Sequence, residues 1–305
     1  MQQLKRWGPE RCDVLTPAES ARWCRALTLG HRENFSVLSR FMPESMREGA
    51  CAVYAFCRWS DDLADETSSP ERALALLAWW RGELHACFGG EATHPVFVAL
   101  QPAISRHNLD QSPFDDLLDA FEQDQRIGRY DTWTQLLDYC GKSANPVGRL
   151  VLRLAGVDES DARVALADAV CSGLQLANHW QDVRRDCLER DRIYLPADMH
   201  DIADFDHRLA ETCRLGHAPD RTFLAAYRDL MRRLVERTRP MLESVDDLLG
   251  GMSHNLRPMF WLFGAGGLAV LDCIDRCGHE TVLMRPRVSM WRKAMLLLHA
   301  RRLAP

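Results

Sequence analysis

The chain is almost without lysine: only Lys5, Lys142 and Lys293 stand among its 38 basic residues, so positive charge is nearly all arginine. A guanidinium fork suits phosphate, and genomic base composition produces the same bias. Basic residues are outnumbered by 43 acidic ones, for a net charge of -5. That leaves no bulk electrostatic case for a nucleic-acid partner. Gly/Ser runs, Pro-rich tracts and blocks of like charge are missing, so the 305 residues read as one domain, 1–305, long enough for a core and a cavity. The eleven cysteines include no CxxC pair, and the closest two, Cys273 and Cys277, have no histidines at zinc spacing. They read as reduced, buried thiols of a cytoplasmic protein. No HExxH pair appears among 11 histidines, and no GxGxxG follows a strand, so neither a zinc protease nor a nicotinamide or flavin enzyme is expected. Met1 to Pro9 lacks the apolar core of a signal peptide. The most apolar stretch, Pro258 to Ile274, is marginal for a membrane span and reads as a buried helix, while peripheral contact with the inner membrane stays open.

Helical periodicity fills the rest. Apolar residues recur at three- and four-residue steps, and strand-like alternation and Asn-Gly or Asp-Gly turns are scarce. The expected class is all-α, with helices near 17–28, 44–65, 70–88, 93–106, 113–125, 132–155, 160–188, 220–248, 253–277 and 288–302. Pro43, Pro70, Pro113, Pro196 and Pro286 fall at the breaks. Ser69-Pro70-Glu71 combines an N-cap, a first-turn proline and an acid at the positive end of the helix dipole. Gly264-Ala265-Gly266-Gly267, inside an apolar helical run, reads as close helix packing.

Two helices carry acids where an ordinary core helix would not. In the first, Tyr54, Arg58, Asp61 and Asp65 are spaced by four, three and four residues and share a face, with Asp62 beside them; Ala55, Phe56 and Leu63 point elsewhere and can pack. In the second, Gln175, Asn178, Asp182 and Asp186 line up the same way, flanked by Leu174, Leu176, Ala177 and Val183, with Arg190, Arg192, Tyr194 and Pro196 following as a closing loop. Carboxylates one turn apart repel and resist desolvation. A divalent cation relieves both, and Mg2+ takes hard oxygen ligands shared between carboxylates and phosphates. Two such helices facing one another would hold a magnesium cluster that grips a diphosphate and stabilises its charge as it leaves. A solvated face with ion pairs explains one such motif; two are harder to explain that way.

At these residues the sequence resembles the squalene/phytoene synthase family, the head-to-head isoprenoid synthases. Ala52 to Asp65 is similar to the family's first aspartate motif, and Gln175 to Asp186 with Arg192-Ile193-Tyr194-Leu195-Pro196 to its second, within a resemblance covering about residues 30–290. The resemblance implies a helical bundle around a central cavity and two or three Mg2+ ions bound with the substrate diphosphate. It implies Asp61, Asp62, Asp65, Asn178, Asp182 and Asp186 as metal ligands, and Tyr54, Arg58, Arg192 and Tyr194 as diphosphate contacts. Gln175 would line the reaction cavity.

The departures point to a sub-branch. Condensing members usually carry a tyrosine one or two places after the Cys of a Tyr-Cys pair, to assist proton transfer. Here Tyr139-Cys140 is followed by Gly141-Lys142, and an N-terminal Ser-x-Ser-Phe becomes Arg32-Glu33-Asn34-Phe35. Asn34-Phe35-Ser36-Val37-x-Ser39, Tyr139 to Gly148 and Asn178 to Asp182 resemble the family's bacterial hopanoid branch, which takes presqualene diphosphate already condensed by a sister enzyme. That branch implies loss of diphosphate and capture of the carbocation by water, with no reductant, and Asn34 and Phe35 join the substrate-binding set. By spacing alone, Lys142 and Arg149, seven apart, would share a helix face, either toward phosphate or as a solvated pair. Phe35, Phe41, Trp180 and Phe260 to Phe263 are candidate cavity walls or plain core, and Gln175, Asn145 or His179 could position water. His179, one step off the Asn178 stripe, is not expected to be a ligand. Three alternatives stand: a condensing synthase working on farnesyl or geranylgeranyl diphosphate, a chain-elongating synthase disfavoured by NxxxDxxxD in place of DDxxD, and a non-enzymatic assembly factor. The expected partners are a prenyl diphosphate, with transient contact to membrane or pathway enzymes.

Overall fold

The structure, a computed structural model, describes residues 3–30, 41–158 and 161–304. Asn34, Phe35 and Ser39 lie outside the described residues. The all-α expectation holds: among the described residues the only paired strands are a two-residue hairpin, Trp7–Gly8 with Arg11–Cys12, beside an isolated bridge between Arg129 and Ile193. The chain divides into two compact units, residues 1–126 with 146–164, and residues 127–145 with 165–305.

The first unit holds α1 (Pro17–Gly30), α2 (Glu44–Asp65), α3 (Pro70–Phe88), α4 (Pro95–His107), α5 (Ser112–Asp124) and most of α7 (Asn145–Leu154). Helix α2 packs on α1, α3, α4 and α5. Its buried face is Ala52, Val53, Ala55, Phe56, Trp59, Ser60 and Leu63. Ser69 caps α3 by accepting from the Arg72 amide at 3.3 Å, and Pro70 fills the first turn, as the sequence suggests. The Trp80 indole donates to Ser60 Oγ at 3.0 Å, tying α3 to α2. Arg81 spans Asp115, Asp119 and Glu122 at 2.8 to 2.9 Å and ties α3 to α5.

The second unit holds α6 (Trp133–Ser143), most of α8 (Arg163–Arg190), α9 (Phe205–Leu215), α10 (Arg221–Glu243), α11 (Val245–Leu249), α12 (Arg257–Arg276) and α13 (Met290–Leu303). Two expected helices are each broken. The one expected over 132–155 ends at Ala144 (φ −127, ψ −47), because Pro146 has no N–H to continue the ladder. Lys142 on α6 and Arg149 on α7 therefore share no helix face, correcting that expectation. The helix expected over 220–248 breaks at Ser244, and α9 was missed altogether. Helix α12 is long and apolar enough to cross a membrane, yet 61% of its apolar window is buried against neighbouring helices.

The glycines of α12 behave as packing residues at two positions and not at a third. A Cβ on Gly264 would sit 2.5 Å from Val245 Cγ1 and 2.9 Å from the Leu242 carbonyl oxygen; one on Gly267 would sit 2.6 Å from Leu242. One on Gly266 meets nothing within 4 Å. Alanine gains about 1 kcal/mol over glycine in a helix interior, but overpacking costs about 1–3 kcal/mol. Gly264→Ala is therefore expected to lower the unfolding midpoint in urea, since backbone cannot yield as a side chain can, and Gly266→Ala to raise it. Shifts of the same sign would show that α12 is not held as described.

Candidate active site

The first acidic stripe lies along α2. Tyr54, Arg58, Asp61, Asp62 and Asp65 are all half-buried, on the face opposite Phe56, Trp59 and Leu63. Arg58 reaches along the stripe, donating to Asp61 at 3.0 Å and also to Asp62. Burial pushes the Asp62 carboxyl above the usual carboxylate range, with Arg58 pulling it back and Glu66 adding to the rise. Arg58 thus stands among Asp61, Asp62 and, at 3.6 Å, Glu66, partly sheltered from water.

The second stripe is deeper. On α8, Asp182 and Asp186 are each only 5% exposed, Gln175 is half-buried and Asn178 is at the exposed margin. Steps of exactly four residues rotate by about 40° each, so the line drifts from solvent at Asn178 into the protein at Asp186. Arg185 bridges the two acids, at 2.9 Å from Asp182 and 3.3 Å from Asp186. Burial raises the Asp186 carboxyl; Arg185 opposes this and the charge on Asp182 adds to it.

The principal residue that the sequence reading missed is Arg285. Its guanidinium lies fork-to-fork on Asp182, through Nε to one oxygen and Nη2 to the other at 3.1 Å. Hydrogen bonding to Asp182 raises the arginine pKa further, fixing its charge. Gln181, one residue before Asp182, donates to the Pro286 carbonyl at 2.7 Å and so pins the segment that carries Arg285. The two partners are 103 residues apart. The one cue was the arginine pair flanking Pro286.

The segment after α8 runs back along the helix end. The Arg192 amide donates to the Asp186 carbonyl at 3.0 Å, and Ile193 to the Gly128 carbonyl at 2.8 Å. Gly128 is needed there, because a Cβ would meet the Asp191 carbonyl at 2.9 Å. Arg192 and Tyr194 are buried. The Tyr194 ring stacks on His179 at 3.7 Å, with Tyr139 and Tyr130 within 6 Å of it. Burial holds the His179 imidazole down to about 3, helped by Arg185 and Arg192, so it is neutral at physiological pH.

Other candidates settle differently. Lys142 is exposed at the end of α6 and Gly141 half-buried beside it. Asn145 accepts from Ser172 at 2.8 Å, and so braces α8. Trp180 is fully buried with its indole N–H on Thr238 at 2.9 Å, which makes it core. Phe260 is buried, and Trp261 stacks on His299 at 4.4 Å.

Among the described residues no three His, Cys, Asp or Glu side chains converge as a self-sufficient metal cage. Each unit instead offers a short row of sheltered carboxylates paired with guanidiniums. This donor set suits Mg2+, which takes one or two carboxylates and completes its shell with water and phosphate oxygens. It does not suit zinc, which takes nitrogen and sulfur in a closed tetrahedron.

The squalene/phytoene synthase family model matches residues 29–292. A phytoene synthase from Arthrospira platensis is 30% identical over 294 residues, covering 92% of both chains. A hydroxysqualene synthase from Sinorhizobium fredii is 39% identical over 170 residues, 55% of this chain and 56% of the relative. The crystal structure of squalene synthase HpnC from Alicyclobacillus acidocaldarius superposes with a TM-score of 0.75 at 39% identity, covering 86% of this chain and 95% of that one. The chain belongs to the squalene/phytoene synthase family, whose members are enzymes that act on prenyl diphosphates.

Proposed function

We propose that the chain converts presqualene diphosphate to hydroxysqualene. The observation that carries this reading within the family is the Gly141-Lys142 pair after Tyr139-Cys140, where a condensing enzyme needs a tyrosine for proton transfer. The 39% identity with a hydroxysqualene synthase, over 55% of the chain, and with the HpnC squalene synthase supports it. A condensing reading also has an observation in its favour, the 30% identity with a phytoene synthase over 92% of the chain.

On this reading Asp61, Asp62, Asp65, Asn178, Asp182 and Asp186 hold two or three Mg2+ ions, which supply electrostatic stabilisation of the leaving diphosphate. The chain's own cations do the rest of that work. Arg58 and Arg285 each lie on a carboxylate of one motif, so each is in place to turn from it to a phosphate oxygen. Arg192, Tyr194, Tyr54, Asn34 and Phe35 are the further substrate contacts that the resemblance implies, and Lys142, exposed at the end of α6, is a phosphate contact on its charge alone. The C–O bond breaks with both electrons leaving on diphosphate. The rearranged carbocation takes a lone pair from water, and the added water then loses a proton. Gln175, half-buried on the acidic stripe, is the group assigned to orient that water. No electron donor is consumed.

The test is a product assay of purified protein with magnesium and no reductant, offering presqualene diphosphate, farnesyl diphosphate and geranylgeranyl diphosphate separately. Hydroxysqualene from presqualene diphosphate alone is the expected result. Consumption of either linear diphosphate makes the chain a condensing synthase and removes the argument from Gly141-Lys142.

A further inference from the structure

Among the described residues nine large apolar side chains are exposed, and five of them, Met284, Met290, Trp291, Met295 and Leu298, fall between residues 284 and 298. Trp291 is 76% exposed and Met290 79%. On α13, Trp291, Met295, Leu298 and Arg302 are spaced by four, three and four residues and share one stripe. This is not the face the helix packs with: Ala300 is buried, and Leu296, Leu297 and Leu303 are half-buried on the side toward α12. The helix is thus apolar on two sides, one of which has a partner.

The charge that this segment itself carries is of one sign. Residues 281–305 contain Arg285, Arg287, Arg292, Lys293, Arg301 and Arg302 and no Asp or Glu, in a chain whose net charge is -5. Of these, Arg285 is taken up by Asp182, and Arg292 has a long contact to Asp272 at 3.5 Å. Next to the stripe a shallow groove of about 260 Å3 runs between α12 and α13, walled by Trp261, Met295, Leu296 and Leu298 and rimmed by Arg292 and Arg302. An exposed Trp with Met and Leu on one stripe and arginines at its edges matches a helix lying in a bilayer interface, the ring at headgroup depth and the guanidiniums on phosphates. A second copy fits less well, since a two-fold contact on this stripe would gather Arg292 and Arg302 of both copies at one interface, with no Asp or Glu of the segment to offset them.

We propose that α13 is a peripheral membrane-docking helix, whose Trp291-Met295-Leu298 stripe seats in the interface of an anionic bilayer with Arg301 and Arg302 on lipid phosphates. The inference is independent of which diphosphate the chain turns over. The contact is placed on α13 and not on α12, which the sequence already reads as a buried helix and 61% of whose apolar window lies inside the protein.

The experiment is co-sedimentation of the full chain with vesicles of phosphatidylcholine alone and of phosphatidylcholine mixed with phosphatidylglycerol. Wild-type protein should pellet with the mixed vesicles and much less with the neutral ones, and rising salt should release it. The Trp291→Ser/Leu298→Ser and Arg301→Glu/Arg302→Glu double variants should each weaken vesicle binding by about tenfold or more. Their thermal unfolding should be unchanged, since these side chains are exposed. Failure of the wild type to pellet with anionic vesicles, or pelleting by both variants as strong as that of the wild type, would overturn the proposal. So would a wild-type dimer that Trp291→Ser/Leu298→Ser converts to monomer without any vesicle binding.

Discussion

Asp182→Asn is expected to reduce turnover by at least about 10^3-fold, with Asp61→Asn close behind, while the protein stays folded. An oxygen that holds cations and so stabilises a departing diphosphate contributes only as the C–O bond breaks, and about 1.4 kcal/mol is lost per factor of ten. Asn keeps the shape of Asp182 and removes the charge. The fold should tolerate this because the partners it strands, Arg185 and Arg285, have side chains 40% and 42% exposed and can turn to water. The loss of a buried, charge-assisted pair then costs about 1–3 kcal/mol at most. The measurement is diphosphate release together with a thermal unfolding curve for each variant. Near-wild-type turnover in either variant would sink the role assigned to its motif, and an unfolded Asp182→Asn would show that the Arg285 fork is structural. Chelation of magnesium should bring the wild type to the same low rate.

Acid should destabilise the first unit through a histidine far from the acidic stripes. His94 is fully buried, its Nδ1 accepting from the Val96 amide at 3.2 Å as the N-cap of α4. Four tryptophan rings surround it: Trp80 at 4.6 Å, Trp59 at 4.9 Å, Trp79 at 6.1 Å and Trp23 at 6.3 Å. Burial pushes its pKa from 6.5 down to about 3, against a smaller upward pull from the Trp7 backbone. The folded state therefore favours the neutral ring. Its contribution is fully present above pH 6.5 and is lost as pH falls toward 3, because the unfolded chain binds a proton that the fold excludes. The slope in that window is about 1.4 kcal/mol per pH unit, or about 2–3 kcal/mol between pH 7 and pH 4.5. His94→Asn keeps a good cap and leaves a small void, so it should be less stable at pH 7 by about 1–2 kcal/mol and lose less on acidification. Urea unfolding of both proteins at the two pH values checks this. His179, also neutral through burial, adds to both curves and cancels in the difference. Equal losses in the two proteins would mean that His94 does not carry the effect.

Much of the helical layout was legible because it rests on local periodicity. The 3.6-residue repeat put Phe56, Trp59 and Leu63 on one side of α2 and Asp61 and Asp65 on the other, and no tertiary contact is needed to foresee that division. The helix start at Pro70 follows from the chemistry of single residues. The errors sit where the cue was non-local or competed with a longer pattern. The apolar rhythm runs through 132–155 and hides the missing N–H of Pro146, and α9 is only 11 residues long, with a stripe of no more than Phe205, Leu209 and Cys213 to announce it.

Within the candidate site the same division holds. The sequence by itself determined the helical class, the two carboxylate stripes and the placement of Tyr54, Arg58 and Gln175 on them, since side chains three and four apart on a helix share a face whatever surrounds it. Only the tertiary structure decided that Asp182 and Asp186 are buried while Asn178 is at the margin, that Tyr194 lies on His179, and that Arg285, 103 residues away, closes on Asp182. Those facts depend on how a loop returns across a helix, and loop closure leaves no periodic trace in the chain.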